Sequence, residues 1–123
     1  MSRFRGYGLY LILSLLSCYT SAQTKVDNAR FKALIADSSA VILDVRTPEE
    51  FAEGFIAGKA LTVNVNYFSK EFLTQVEKVA KKDQFILVYC AAGGRSASAC
   101  KELKKSGYKK IFELEGGYNN WVE

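Results

Sequence analysis

The 123-residue chain contains no histidine. That absence excludes a histidine general base, Cys–His and Ser–His nucleophile pairs, and histidine metal ligands. Proline occurs once and glycine nine times, which rules out collagen-like and low-complexity architectures. Three cysteines, at positions 18, 90 and 100, are too few and too scattered for a disulfide scaffold. Chemistry is therefore left to cysteine, carboxylates, Arg, Lys and backbone amides. What is present is the mixture of an ordinary globular protein, 49% hydrophobic and 24% charged, at a length that suits one domain. The formal net charge of +4, taken alone, suits an anionic surface or nucleic acid.

Residues 1–22 read as an export signal. Arg3 and Arg5 form a positive start, and Leu9 to Leu16 form an apolar core too short to span a bilayer comfortably. Thr20-Ser21-Ala22 then offers small residues for cleavage before Gln23. Two alternatives stand beside this reading. Leu15-Leu16-Ser17-Cys18 resembles a lipoprotein box, which would make Cys18 a lipid-modified N-terminus tethered to a membrane. An uncleaved N-terminal anchor is the other. Each reading places the protein outside the cytoplasm, in a bacterial periplasm or envelope. Cleavage after Ala22 leaves a domain over residues 23–123. Taking two from 17 basic residues leaves 15 against 13 acidic ones, a net charge of +2. The lysine clusters at 81–82, 101, 104–105 and 109–110 read as a solvated face that can also steer anions. No basic–aromatic pattern points to nucleic acid.

Helical and extended patterns alternate from there. Asp27 or Asn28 can cap a short helix with Phe31, Leu34 and Ile35 on one side. Ala40 to Val45 is a nearly continuous apolar run, as in a strand buried on both faces. Thr47, Pro48 and Glu50 form a capping-box start for a short helix that ends near Gly54. Leu61 to Val65 reads as a weak strand, Ser69 to Lys82 as a helix, and Phe85 to Tyr89 as the strongest strand. A helix opening at Ser96 reaches Ser106, with Gly107 past its end, and residues 111–114 form a last strand. Strands joined by helices imply an α/β fold with a central parallel sheet and helices on both faces.

The chemistry concentrates at Cys90. It stands at the carboxyl end of a buried strand, where open α/β sheets place their ligands. Ala91, Ala92, Gly93 and Gly94 have little or no side chain, so their amides can curl around a sulfur. Arg95 adds a positive charge, and the helix from Ser96 points its positive end at the same place. All three effects favour thiolate over thiol. No metal site or cofactor motif accompanies this loop. Cys100, nearly three turns into the helix, reads as a small buried hydrophobe beyond disulfide reach of Cys90.

Residues 41–51, Val-Ile-Leu-Asp-Val-Arg-Thr-Pro-Glu-Glu-Phe, resemble the first signature of the single-domain rhodanese-like sulfurtransferase family. Residues 90–96 resemble that family's active-site loop. Gly107-Tyr108, residues 114–117 and Trp121 resemble its C-terminal signature. The resemblance covers about residues 25–123 and implies the rhodanese-like fold. It implies that Cys90 attacks the outer sulfur of a donor such as thiosulfate and becomes a persulfide. Cyanide, a small thiol or a protein acceptor then removes that sulfur. The amides of residues 91–95 would hold the persulfide and the leaving group. The family's Asp-x-Arg falls on Asp44 and Arg46, which would brace the site and pair locally. Cysteine phosphatases of similar fold have one more residue between the nucleophile and the Arg than separates Cys90 from Arg95. The tighter loop favours sulfur over phosphoryl transfer. A persulfide carrier that docks a partner without turning over small donors is the reading from another class. Two departures stand out. Phe55-Ile56 occupies a place where the family usually has His-Ile, and the chain reaches Glu123 soon after Trp121, where relatives carry a longer last helix.

Overall fold

A computed structural model describes residues 23–37 and 39–123. The export-signal reading of residues 1–22, and with it the Cys18 alternative, lies outside the described residues. Five strands form one sheet: β1 (Gln23–Val26), β2 (Val41–Asp44), β3 (Leu61–Asn64), β4 (Phe85–Tyr89) and β5 (Lys110–Leu114). Their order is β1-β5-β4-β2-β3, and every pairing is parallel. The helices are α1 (Asn28–Ile35), α2 (Pro48–Glu53), α3 (Phe72–Val79) and α4 (Gly94–Lys105), followed by a 3-10 turn at Tyr118–Asn120.

The central strands are apolar because both their faces are covered. Residues 41–44 of β2 and 86–89 of β4 are all buried. Alternate residues feed two cores. Val41, Leu43, Ile86 and Val88 pack with Phe72 and Val76 of α3 and with Ala99, Cys100 and Leu103 of α4. Ile42, Leu87 and Tyr89 pack on the other face with Phe31 and Ile35 of α1. The expected parallel sheet with helices on both faces is what forms.

Local chemistry sets the helix ends. The Asp27 carboxylate accepts the Arg30 N–H at 2.9 Å and caps α1. At α2, Thr47 Oγ1 accepts the Glu50 N–H at 3.2 Å and Glu50 Oε1 accepts the Thr47 N–H at 3.0 Å. This is the reciprocal box the sequence predicts. α4 ends in a Schellman motif. Tyr108 N–H donates to Leu103 O and Gly107 N–H to Lys104 O, both at 3.1 Å, with Gly107 at φ +99°.

α3 is shorter than the expected 69–82. Ser69 Oγ accepts the Glu71 N–H at 3.1 Å and holds a turn before the helix. Ala80 is extended, and its carbonyl accepts the Tyr108 hydroxyl at 3.0 Å. β1 is absent from the sequence reading. Its four residues, Gln-Thr-Lys-Val, are mostly polar because it is an edge strand carried by pairing with β5.

Candidate functional site

The carboxyl ends of β2, β4 and β5 lie side by side, with Asp44 in register with Tyr89 and Val88 with Glu113. Cys90 follows the last residue of β4. Its side chain enters the core shared with α3 and α4, whereas its neighbour Tyr89 enters the other core. The chain then turns through Gly93, at φ +118°, into α4. Only a residue without Cβ adopts that angle freely.

The turn wraps the sulfur. Cys90 Sγ accepts the Gly93 N–H at 3.1 Å and the Ser96 N–H at 3.3 Å, and lies 3.4 Å from the Ser96 hydroxyl oxygen. Burial pushes the thiol pKa up. The Ser96 hydroxyl and the amides of Ser96, Gly93 and Ala92 pull it down, and the outcome lies below the ordinary thiol value. The sulfur is thus biased towards its more nucleophilic thiolate form by first-turn amides, with no histidine involved. α4 starts at Gly94 rather than at Ser96. This places the Ser96 amide inside the first turn, where such N–H groups lack intrahelical partners.

The loop is open on its outer side. A methyl placed on Gly93 or Gly94 would meet nothing within 4 Å. Ala92 and Gly94 are exposed and Ala91 is half-buried, although Cys90 itself is buried. The outer side of the loop is therefore bounded by small residues. A cavity of about 530 Å³ beside Tyr67, Phe68 and Glu102 includes none of residues 90–96 in its lining.

Arg95 does not stand free at this rim. Its guanidinium grips Glu50, with Nη1 donating to Oε1 at 2.7 Å and Nη2 to Oε2 at 3.1 Å. It still lies within electrostatic reach of the sulfur, because the Cys90 charge raises the Arg95 pKa after the larger effect of Glu50. Glu50 is held at about 2 by Arg95 first, and next by the Thr47 amide. The sequence shows Glu50 as a capping residue. Its second role depends on α2 and α4 meeting in space.

Asp44 and Arg46 form a buried fork behind the site. Arg46 Nη2 donates to Asp44 Oδ2 at 2.7 Å, and its Nε lies 3.0 Å from Oδ1. Arg46 also donates to the Gly54 carbonyl at 2.7 Å. The Tyr89 hydroxyl donates to Asp44 Oδ2 at 2.7 Å and accepts the Ile56 N–H at 3.0 Å. These groups share the Tyr89 core, on the sheet face opposite the Cys90 side chain. Their reach to the loop is indirect, through backbone and through Tyr118, whose ring lies 4.4 Å from the Arg46 guanidinium carbon.

The roles of three further residues escape sequence reasoning. Tyr89 links the Asp44 fork to Ile56. Glu113, 1% exposed, accepts the Ser96 hydroxyl at 2.7 Å. Gly117 backs the loop, where Tyr118 N–H donates to Cys90 O at 2.7 Å and Asn119 N–H to Ala91 O at 2.9 Å. The Gly116-Gly117 pair signals a turn. Its contact with the nucleophile's own carbonyl is a tertiary fact. Phe55 stacks on Phe51 with ring centres 4.3 Å apart and is 42% exposed, an apolar rim element.

A family model described as Rhodanese-like domain matches residues 27–123. The Arabidopsis thaliana protein named Thiosulfate sulfurtransferase 18 is 37% identical over 119 residues, covering 88% of this chain and 86% of that protein. Another Arabidopsis thaliana protein, named Protein HIGH ARSENIC CONTENT 1, mitochondrial, is 40% identical over 90 residues, or 66% of this chain. The chain spans about half, 52%, of that protein's length. Among solved structures, a rhodanese-related protein from Thermoplasma volcanium matches with a TM-score of 0.62 at 31% identity, over 80% of this chain and 89% of that one.

Proposed function

The chain belongs to the rhodanese-like domain family, and from that premise we propose that it transfers sulfane sulfur through a persulfide on Cys90. The observation that carries this reading is the sulfur's environment: Gly93 and Ser96 N–H on Sγ at 3.1 and 3.3 Å, with the thiol held below its ordinary pKa. The relative named a thiosulfate sulfurtransferase suggests the donor class.

In the first displacement, the Cys90 thiolate attacks the outer sulfur of thiosulfate. The new S–S bond forms on Cys90, and the old S–S bond breaks with its electron pair leaving on sulfite. In the second, cyanide or a thiolate attacks the outer persulfide sulfur. Cyanide leaves as thiocyanate, a thiolate leaves as a new persulfide, and Cys90 is restored as thiolate. The Gly93, Ser96 and Ala92 amides serve both steps, because each has anionic sulfur in their ring. No step requires a metal or cofactor.

Engagement of Arg95 by Glu50 favours sulfur over phosphoryl transfer. A phosphatase needs that guanidinium on the transferred group, and here it is tied to a carboxylate at 2.7 Å. The open, neutral rim at Ala92 and Gly94 favours a second reading, in which the acceptor is a protein thiol docked on the loop. Export through residues 1–22 belongs to the proposal as well, with lipidation at Cys18 as its variant. N-terminal sequencing of the protein from the envelope fraction decides it.

The test is intact mass after thiosulfate. The protein gains one sulfur atom at Cys90, cyanide removes it, and Cys90→Ser gains none. Absence of the adduct in a folded protein with a free Cys90 defeats the reading. An adduct acquired only from a partner's persulfide selects the carrier form.

A further inference from the structure

The nucleophile is the first member of a buried chain of polar atoms that ends on a carboxylate. Cys90 Sγ lies 3.4 Å from Ser96 Oγ, and Ser96 Oγ lies 2.7 Å from Glu113 Oε2. All three residues are buried, with Ser96 at 0% and Cys90 and Glu113 at 1% exposure. The donors run in one direction. The thiol S–H donates to the Ser96 oxygen, and the Ser96 O–H donates to Glu113. We propose that Glu113 is a positioning residue that takes up the Cys90 proton through the Ser96 hydroxyl, the task that a histidine performs in other cysteine enzymes. The inference rests on the sulfurtransferase reading of Cys90.

The step balances. The S–H bond breaks as Ser96 Oγ gains that proton, and the proton already on Oγ passes to Glu113 Oε2. Negative charge moves from the carboxylate to the sulfur, so the pair carries one charge before and after. This matters because two anions linked by one hydroxyl in a buried site would repel strongly. A shared proton removes that repulsion. After transfer the chain runs the other way. Glu113 donates to Ser96, and Ser96 donates to the thiolate, which adds a third hydrogen bond to those from Gly93 and Ser96 N–H. The same arrangement stabilises Cys90 as the leaving group when an acceptor takes the outer sulfur.

The surroundings of Glu113 fit a site that keeps a single charge. On β1 its register partner is Lys25. On α4 it faces Ser96 and the buried Cys100 thiol, which burial, and then the Glu113 charge, push far up. Cys90 thus remains the thiol from which Glu113 can draw a proton.

The experiment is the pH profile of Cys90 alkylation by iodoacetamide in the full chain, read by mass on the Cys90 peptide. The wild type shows two limbs, an acid one from the shared proton and a second at higher pH, as coupled groups do. Glu113→Gln still accepts a hydrogen bond from Ser96 but cannot take a proton. It shows only the upper limb and is roughly tenfold slower at the acid end, the effect of about one unit in the thiol's titration. Ser96→Ala, which removes only a hydroxyl, loses the same limb, and the double variant loses no more. A wild-type profile in either folded variant overturns the proposal, as does a wild type with a single limb. Sulfur uptake from thiosulfate is measured on the same samples. A wild type with both limbs and no uptake keeps the relay and removes the sulfurtransferase reading.

Discussion

Glu50 and Arg95 meet through two hydrogen bonds, at 2.7 and 3.1 Å, and the same Glu50 Oε1 accepts the Thr47 N–H at 3.0 Å. One carboxylate therefore closes the cap of α2 and ties that helix to the first turn of α4, next to the Cys90 loop. Glu50→Gln should cost about 1 kcal/mol, the scale of a cap plus a solvent-screened pair. The pH dependence has a definite sign. Glu50 titrates at about 2 in the fold against an ordinary 4.5, so its contribution is present above about pH 4.5 and is lost as pH falls towards 2. Thermal melts of both proteins between pH 7 and pH 2 should converge at the acid end. A gap that stays constant with pH would show that the charge is not the stabilising element.

Gly117 sits behind the loop at φ +65°, and a methyl there would fall 2.5 Å from the carbonyl oxygens of both Cys90 and Ala91. Gly94, in the same loop, would place a methyl in open space. Gly117→Ala should cost about 2–4 kcal/mol, from backbone strain and the displaced Tyr118 N–H on Cys90 O. It should also slow Cys90 alkylation, because the ring of amides shifts with the carbonyls. Gly94→Ala should leave stability within about 1 kcal/mol of the wild type. Urea unfolding of the two variants makes the comparison. Equal costs would mean that the buttress is not what fixes the loop.

The fold was legible where local chemistry and pattern agree. The Thr47-Pro48-Glu50 start, the Phe85 to Tyr89 strand and the Gly107 helix end all rest on interactions within a few residues. β1 was not legible, because an edge strand with one buried Val26 has no apolar run to announce it. The site divides in the same way. Cys90 and its small-residue loop are contiguous, so spacing reveals them. Glu113 joins Ser96 across 17 positions and Glu50 joins Arg95 across 45, and only the parallel sheet order brings these pairs together. Arg95 shows the cost of reading a charge without its partner. The sequence aims it at the sulfur, whereas Glu50 holds it aside.

The two described cysteines, both free, differ sharply in environment. Cys90 is held below the ordinary thiol range, although burial opposes this, while burial drives Cys100 far above it. Iodoacetamide at neutral pH should label Cys90 alone, and Cys100 only after unfolding in denaturant. The Cys90 rate should fall in two limbs as pH drops and the sulfur becomes protonated. Peptide mass mapping reads both sites at once. Labelling of Cys100 in the folded protein would contradict its burial.

Asp44 and Arg46 share three side-chain hydrogen bonds at 2.7–3.1 Å in a core where Asp44 is 0% exposed. Asp44→Asn leaves the Arg46 guanidinium buried without its counter-charge, which should cost about 3–5 kcal/mol. Tyr89→Phe removes the acceptor of the Ile56 N–H and should cost about 1–3 kcal/mol. Both residues lie on the sheet face away from the Cys90 side chain and share no hydrogen bond with its sulfur. The alkylation rate of Cys90 per folded molecule should therefore stay within roughly twofold of the wild type, the scatter expected of uncoupled sites. Chemical denaturation gives the first quantity and labelling kinetics the second. A stable Asp44→Asn protein with a slow Cys90 would instead place the fork in the chemistry of the sulfur rather than in its scaffold.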